Sequence, residues 1–203
     1  MTVIDSKQRL RELIGAPNDL VRLKIHNTLN ETARGFIARS PMAFIATCGS
    51  DGMPTLSPKG DAPGFAQIEN DRTVLIPERK GNKLVFSLQN ILDNPKVGLI
   101  FLVPGTCETL RLQGRAQLSE DPDLCERLSA RGSKALLAIK VDVEACYFHC
   151  AKAFLRAGLW QPTQWPEAMQ ISFGEEIAQS GGLKREAIEA FDAGVHSRYK
   201  TDL

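Results

Sequence analysis

Two strand–turn–strand patterns in the middle of the chain constrain the fold most. In MAFIATCGSDGMPTLSPKG, two strand-like segments flank Asp51-Gly52, and GFAQIENDRTVLIP repeats the arrangement around Asn70-Asp71. Such turn residues accept the backbone conformations that a tight hairpin needs. Because hairpins join antiparallel strands, these patterns predict an antiparallel sheet.

Three later segments extend this sheet. NPKVGLIFLVPG is an almost continuous apolar run, which predicts a central, well-buried strand. TLRLQGRAQL alternates instead, with Leu110 and Leu112 on one face and Arg111 and Gln113 on the other. A long alternating strand then runs from about residue 135 to 148. Six or so antiparallel strands predict a mainly β fold with flanking helices, closed or split into a small barrel, since closure removes exposed sheet edges.

Helical patterns lie on both sides of this strand-rich middle. Between Ser6 and Ser40, leucine and isoleucine recur at helical offsets, and Pro17 and Pro41 interrupt the pattern. The end of the chain is again rich in helix formers. We therefore divide the sequence into an N-terminal helical extension (1–40), a barrel domain (41–166) and a C-terminal helical extension (167–203).

Composition excludes several classes of function. The 203 residues are 43% hydrophobic and 24% charged, with a net charge of +1 and no long basic run, so a broad nucleic-acid or anionic-membrane surface is not expected. No apolar run approaches the roughly 20 residues that span a bilayer, and MTVIDSKQRLRELIG lacks the apolar core of a signal peptide. We expect a cytoplasmic protein.

No catalytic or metal-binding motif emerges. The five cysteines are scattered and odd in number, which fits reduced thiols. CYFHC, with Cys146, His149 and Cys150, suggests either a metal site or buried structural cysteine, and the structural interpretation is favoured because no second ligand cluster accompanies it. GxGxxG, GxxxxGK[ST] and GxSxG are missing, and the three histidines lie in separate segments. We assign no catalytic side chain and no metal.

The segment PERKGNKLVFSLQN carries an unusual charge pattern. Its apolar spacing predicts a helix from Asn82 to about Leu92. Helix N-termini favour negative side chains, yet Arg79, Lys80 and Lys83 crowd this one. A bound phosphate would explain these cations, whereas a solvated charged face is the simpler interpretation.

A second anion-binding candidate is SPKGD, from Ser57 to Asp61, at the end of a predicted strand. It offers a hydroxyl, an ammonium and a glycine-containing backbone. A plain turn is the alternative, because motifs this short recur by chance. Together with PERKGNK it has the donors that a phosphate site requires.

The ordered combination of SPKGD, LIPERKGNKLVFSLQNILDNPKVGLIFLVPG, ETLRLQGRAQL and YFHCAKAFLRAGLW resembles the pyridoxamine 5'-phosphate oxidase-like flavoproteins, specifically a bacterial subgroup of FMN-dependent members. The resemblance runs from about Pro41 to Pro166. It implies an FMN-binding split β-barrel and a homodimer, with FMN in a cleft that both subunits build.

The resemblance also implies a set of cofactor-binding residues. Those within one subunit fall into three groups: Ser57, Pro58 and Lys59 beside the flavin and ribityl chain, Pro77, Glu78 and Arg79 on the neighbouring strand, and Asn82 and Lys83 at the phosphate. Four further positions match residues near the cofactor: Arg111 on its strand, and Lys152, Arg156 and Trp160 from the partner subunit. For these four, solvated or packing roles remain open.

The implied function is an FMN-dependent oxidoreductase that transfers hydride or electrons between flavin and a small-molecule substrate. Pyridoxal-forming activity is not carried over, because the tail GGLKREAIEAFDAGVHSRYKTDL does not match the arginine-rich motif of the authentic oxidase. Two alternatives remain open: a barrel that binds FMN, haem or a deazaflavin without turnover, and a structural dimer with an empty cleft.

Overall fold

The computed structural model describes residues 3–182 and 184–202. Seven strands form its centre: β1 (Met42–Cys48), β2 (Pro54–Gly60), β3 (Gln67–Ile68), β4 (Thr73–Glu78), β5 (Lys96–Leu102), β6 (Thr109–Ser119) and β7 (Leu137–His149). The α-helices are α1 (Lys7–Ile14), α2 (Asp19–Leu23), α3 (Glu31–Arg39), α4 (Phe86–Asp93), α5 (Pro122–Arg127), α6 (Lys152–Ala157), α7 (Phe173–Gly181) and α8 (Arg185–Thr201). A short 3-10 helix spans Pro162–Gln164.

Both hairpins form as the sequence predicts. β1 and β2 pair antiparallel around the Asp51-Gly52 turn, with Thr47 opposite Thr55. β3 and β4 pair around Asn70-Asp71. Gly52 has φ 79°, a left-handed conformation that glycine adopts without steric cost.

All the strands join one antiparallel sheet in the order β2-β1-β5-β6-β7-β4-β3. This confirms a mainly β fold with flanking helices. β5 lies between β1 and β6, as its apolar sequence predicts. β2 forms one edge of the sheet and the two-residue β3 forms the other. Strand pairing therefore leaves the sheet open.

The sheet nevertheless curls, so that strands far apart in its order approach each other. Lys59 Nζ of β2 lies 2.5 Å from Glu78 Oε2 at the end of β4, although four strands separate β2 and β4 in the sheet. An ion pair thus links the two sides across a seam that hydrogen-bonded strands do not close.

The core lies inside this curl. Leu110, Leu112 and Ala116 of β6 are buried while Gln113 and Arg115 between them are exposed, which confirms the predicted alternation. Each large apolar side chain buried in this way stabilises the fold by about 1.5–3 kcal/mol.

β6 and β7 approach so closely at one point that only glycine fits. Their register shifts between Gln113 and Gly114, where a Cβ on Gly114 would lie 2.0 Å from the backbone oxygen of Asp142. The bulge lets the two longest strands stay paired along almost their whole length.

The terminal helices contribute little to this core. α1 and α2 bury no residue, whereas α3 buries Ala33 and Ile37. Near the other end, Asp192 of α8 accepts hydrogen bonds from the Ser172 hydroxyl and the Gly174 amide, and so ties α8 to the start of α7. The predicted helical character of both ends is confirmed, and the three-part division of the chain stays a prediction.

The predicted start of α4 at Asn82 is wrong by four residues. The helix begins at Phe86, because Lys83 (φ 64°) and Val85 (φ 49°) adopt left-handed backbone conformations that interrupt helical geometry. The Asn82 side chain instead accepts a hydrogen bond from the Leu84 amide at 3.0 Å, which forms an Asx turn.

The membrane question has a direct answer for the helices that the structure describes. Within that part of the chain, no helix is both long enough and apolar enough to cross a bilayer.

Candidate functional site

A cavity of about 440 Å³ lies where β2, the end of β4, the following loop and the first turn of α4 meet. This volume falls in the range of about 300–1,000 Å³ that is typical of ligand pockets. Seven of the predicted cofactor residues line it: Ser57, Pro58, Lys59, Glu78, Arg79, Asn82 and Lys83. Two segments distant in sequence thus meet at one cavity, and their contact with a cofactor stays a prediction.

β2 supplies one wall of the cavity through a polar stripe. Thr55, Ser57 and Lys59 alternate with more exposed neighbours along the strand, so their side chains share one face. Pro58 also borders the cavity, but it belongs to the exposed set on the opposite face. The sequence interpretation included Ser57 and Lys59 and missed Thr55, which the period of two would have added.

Lys59 and Glu78 neutralise each other at the cavity wall. Their side chains are 10% and 19% exposed, so the pair is largely shielded from water. The Lys59 charge is therefore balanced within the protein itself.

Arg79 is held firmly but incompletely. Its Nε lies 3.2 Å from Asp61 Oδ2, and its Nη2 donates to the Leu128 carbonyl at 2.7 Å. Nη1 is buried and has no hydrogen-bond partner among the described residues. Buried donors are almost always satisfied in folded proteins, so this nitrogen is an exception beside the cavity that Arg79 lines.

The charge pattern at α4 needs correction. The helix starts at Phe86, and its first turn carries no acidic residue. The three cations therefore lie in the loop before the helix. Arg79 is paired with Asp61, and Lys80 is exposed outside the cavity lining. Lys83 lines the cavity and is exposed. The cavity thus contains one exposed ammonium beside the first turn of a helix. The Leu88 amide of that turn donates to the Val85 carbonyl at 2.9 Å, while the Phe86 and Ser87 amides precede the first hydrogen bonds of the helix.

Apolar side chains form the rest of the lining, and the sequence interpretation did not assign them. Leu84, Val85 and Phe86 are 53%, 45% and 55% exposed, and Leu136, which also lines the cavity, is 58% exposed. A cavity that combines exposed apolar groups with a few polar ones is typical of a binding site for a ligand that is partly apolar.

The remaining predicted residues lie away from this cavity. Pro77 is buried in the sheet opposite Ala138. Lys152 and Arg156 are exposed on α6, and the Trp160 indole donates to the Thr106 carbonyl at 2.9 Å. Their contact with a cofactor across a subunit interface stays a prediction.

Arg111 lies on β6 between Ile100 and Tyr147, on the face opposite the buried leucines of that strand. Its Nε is buried and has no partner among the described residues. The structure gives it no contact with the cavity lining.

The two cysteines of the CYFHC segment, Cys146 and Cys150, lie in different environments. Burial raises the pKa of the Cys146 thiol to about 11, which disfavours the thiolate that a metal would require. Cys150 is exposed. Among residues 3–182 and 184–202, no group of three His, Cys, Asp or Glu side chains is arranged to hold a metal ion.

The family model for pyridoxamine 5'-phosphate oxidase matches residues 29–150, which is more than half of the chain. The chain belongs to the pyridoxamine 5'-phosphate oxidase family. The match includes the whole sheet and every residue of β2, β4 and the loop that line the cavity. No curated protein sequence matches this family member.

Three solved structures are similar to this family member over part of its length, and the first of them supports its fold. A variant of HupZ from Group A Streptococcus is 18% identical, with a TM-score of 0.50 over 60% of this chain and 99% of its own. An FMN-binding protein from Syntrophomonas wolfei is 12% identical, with a TM-score of 0.49 over 60% and 86%. A Clostridium acetobutylicum protein related to general stress protein 26 of B. subtilis is 15% identical, with a TM-score of 0.44 over 58% and 85%.

Proposed function

We propose that the protein is an FMN-dependent oxidoreductase built on a split β-barrel, which transfers hydride or electrons between flavin and a small-molecule substrate. The observation that carries this proposal is the cavity between β2 and the loop before α4. It brings the guanidinium of Arg79 and the exposed side chain of Lys83 to one lining. Family membership supplies the flavin class, and the donors of this cavity suit its phosphate.

The lining residues fit the two chemically different parts of FMN. Lys83, the Asn82 side chain and the amides of Phe86 and Ser87 at the start of α4 would hold the phosphate. The apolar groups of Val85, Phe86 and Leu136 would pack on the ring system. Bound flavin supplies the redox chemistry, while the chain binds it, orients it and keeps water from one side.

Lys59 and Glu78 set the charge of the cavity wall. Because they neutralise each other, the positive charge that faces a ligand is concentrated at Lys83. A dianionic phosphate would therefore be oriented toward the loop before α4 and away from the strand.

We also propose a homodimer in which the second subunit completes the cleft. α1 and α2 bury none of their residues within one chain, and Phe44, on the outer face of the sheet, is 36% exposed. Large apolar groups left in water favour association with another surface. Arg111, with its unpartnered Nε, lies on this same outer face of the sheet.

The test is flavin retention by Lys83→Glu beside the matched control Lys80→Glu. Both residues are exposed in the same loop, but only Lys83 lines the cavity. The variants have equal net charge, so an FMN titration followed by flavin fluorescence should show at least a tenfold weaker affinity for Lys83→Glu alone. Equal affinities in the two variants would refute the site.

The spectrum of the purified wild-type protein distinguishes the classes of function. Flavin bands that bleach with a reductant and return with an acceptor support the oxidoreductase. A Soret band would identify haem instead, and flavin bands without turnover of any donor would reduce the proposal to flavin binding.

A further inference from the structure

We infer that Thr55 donates a hydrogen bond from its hydroxyl to the ligand in the cavity, and that Thr47 and Asn90 orient that hydroxyl. The inference rests on the proposed function for the identity of the ligand and adds a binding residue to it. The motif-based assignments began at Ser57 and did not include Thr55.

Three polar groups meet behind the β2 wall. Asn90 Nδ2 of α4 lies 3.2 Å from Thr47 Oγ1 and 3.1 Å from Thr55 Oγ1, and the two hydroxyl oxygens are 2.8 Å apart. Asn90 has two amide hydrogens, so it can donate one to each threonine. The triangle joins α4 to both strands of the first hairpin.

Burial decides which hydroxyl donates to the other. Thr47 is 3% exposed, and among the described residues Thr55 Oγ1 is the acceptor within reach of its hydroxyl hydrogen. A buried hydroxyl hydrogen without an acceptor is strongly disfavoured. Thr47 therefore donates to Thr55.

This assignment leaves the Thr55 hydrogen free. Thr55 Oγ1 accepts from both Thr47 and Asn90, which occupies its two lone pairs. Its own hydrogen has no acceptor in the triangle, and the Thr55 side chain lines the cavity. The free hydrogen is thus available to a carbonyl, ring-nitrogen, hydroxyl or phosphate acceptor of the bound cofactor.

A close contact shows that the position of Asn90 is constrained. A Cβ on Gly49 would lie 2.8 Å from Asn90 Oδ1, so glycine at this position lets the amide approach the hairpin. α4 has no side-chain cap at its start. Because no cap fixes the start of α4, the hydrogen bond from Asn90 to Thr55 helps to fix the distance between α4 and β2, the two walls of the cavity.

The test compares Thr55→Val with Thr47→Val in FMN titrations followed by flavin fluorescence. Both variants remove the same bond between the hydroxyls, but only Thr55→Val removes a hydroxyl from the cavity lining. We expect about fivefold weaker FMN affinity for Thr55→Val, the effect of one hydrogen bond of about 1 kcal/mol. Thr47→Val removes an orienting contact but no group of the lining, so it should weaken FMN affinity less than Thr55→Val does, by about twofold. Thr55→Ser keeps the hydroxyl and should bind FMN more tightly than Thr55→Val.

Thermal melting of each variant separates folding from binding. Similar losses of Tm in the two valine variants with unequal FMN affinity support the inference. Equal affinity losses in both valine variants, or wild-type affinity in Thr55→Val, overturn it while the proposed function stands. If the wild-type protein binds no FMN, both fail. Thr55→Ala, in which water can reach Asn90, replaces Thr55→Val if the valine variant does not fold.

Discussion

Replacing Lys59 with methionine should lower the free energy of unfolding by about 3 kcal/mol. The Lys59 and Glu78 side chains are 10% and 19% exposed, so the substitution leaves a largely buried carboxylate without its partner. Removing one member of a buried ion pair costs about 3–5 kcal/mol, and the lower end applies because Glu78 retains some contact with water. Two unit charges about 4 Å apart attract by about 4 kcal/mol at an effective dielectric constant of about 20, and desolvation offsets much of that attraction.

The assay is urea unfolding followed by circular dichroism. It is applied to Lys59→Met, to Glu78→Gln and to the double variant that carries both substitutions. The double variant should recover most of the loss, because it leaves no buried charge unpaired. Lys140→Met is the matched control, since Lys140 pairs with Glu69 while it is 41% exposed, and its loss should stay below about 1 kcal/mol. Equal losses for Lys59→Met and Lys140→Met would refute the view that the seam pair is structurally important.

Three further predictions concern the sheet, the thiols and the C-terminal helices. Gly114→Ala should destabilise the fold by about 3 kcal/mol in thermal melts, because the added Cβ would lie 2.0 Å from a backbone oxygen. In the control Gly98→Ala the nearest atom to the added Cβ is 3.9 Å away, so the cost should be less than about 1 kcal/mol. At pH 8 a thiol reagent should label exposed Cys150 rapidly and Cys146, with its pKa near 11, only after unfolding. The hydrogen bond from the Ser172 hydroxyl lowers the pKa of the Asp192 carboxyl. The carboxylate therefore contributes fully to the packing of α7 on α8 above about pH 4, and this contribution is lost as the pH falls through the lowered pKa. Amide hydrogen exchange in α7 should accelerate over this interval.

The sheet was predictable from sequence because its signals are local. Turn residues between strand-like segments identified both hairpins, and the alternation in β6 identified its buried face. The order of strands in the sheet and the ion pair across its seam depend on contacts between distant segments. No local pattern in the sequence encodes those contacts.

The site was predictable in part for the same reason. Short motifs located SPKGD and the PERKGNK loop, and the structure brings them to one cavity. The helix start was misplaced because Lys83 and Val85 adopt left-handed conformations that non-glycine residues seldom show. Thr55 lies two residues before SPKGD, so the motif did not include it, although the period of two along β2 indicates it. Its hydrogen bond with Asn90, 35 residues further along the chain, has no local signal.

β2 lies at one edge of the sheet and contains two prolines, Pro54 and Pro58. Their positions differ by an even number of residues, so the backbone nitrogens of both point to the same side of the strand. Because proline has no amide hydrogen, the free side of this strand offers few donors to an incoming chain. The opposite edge, β3, is only two residues long. Neither border of the sheet is therefore a good template for the intermolecular β-pairing that starts aggregation, and the protein should tolerate the high concentrations at which flat, uninterrupted edges polymerise.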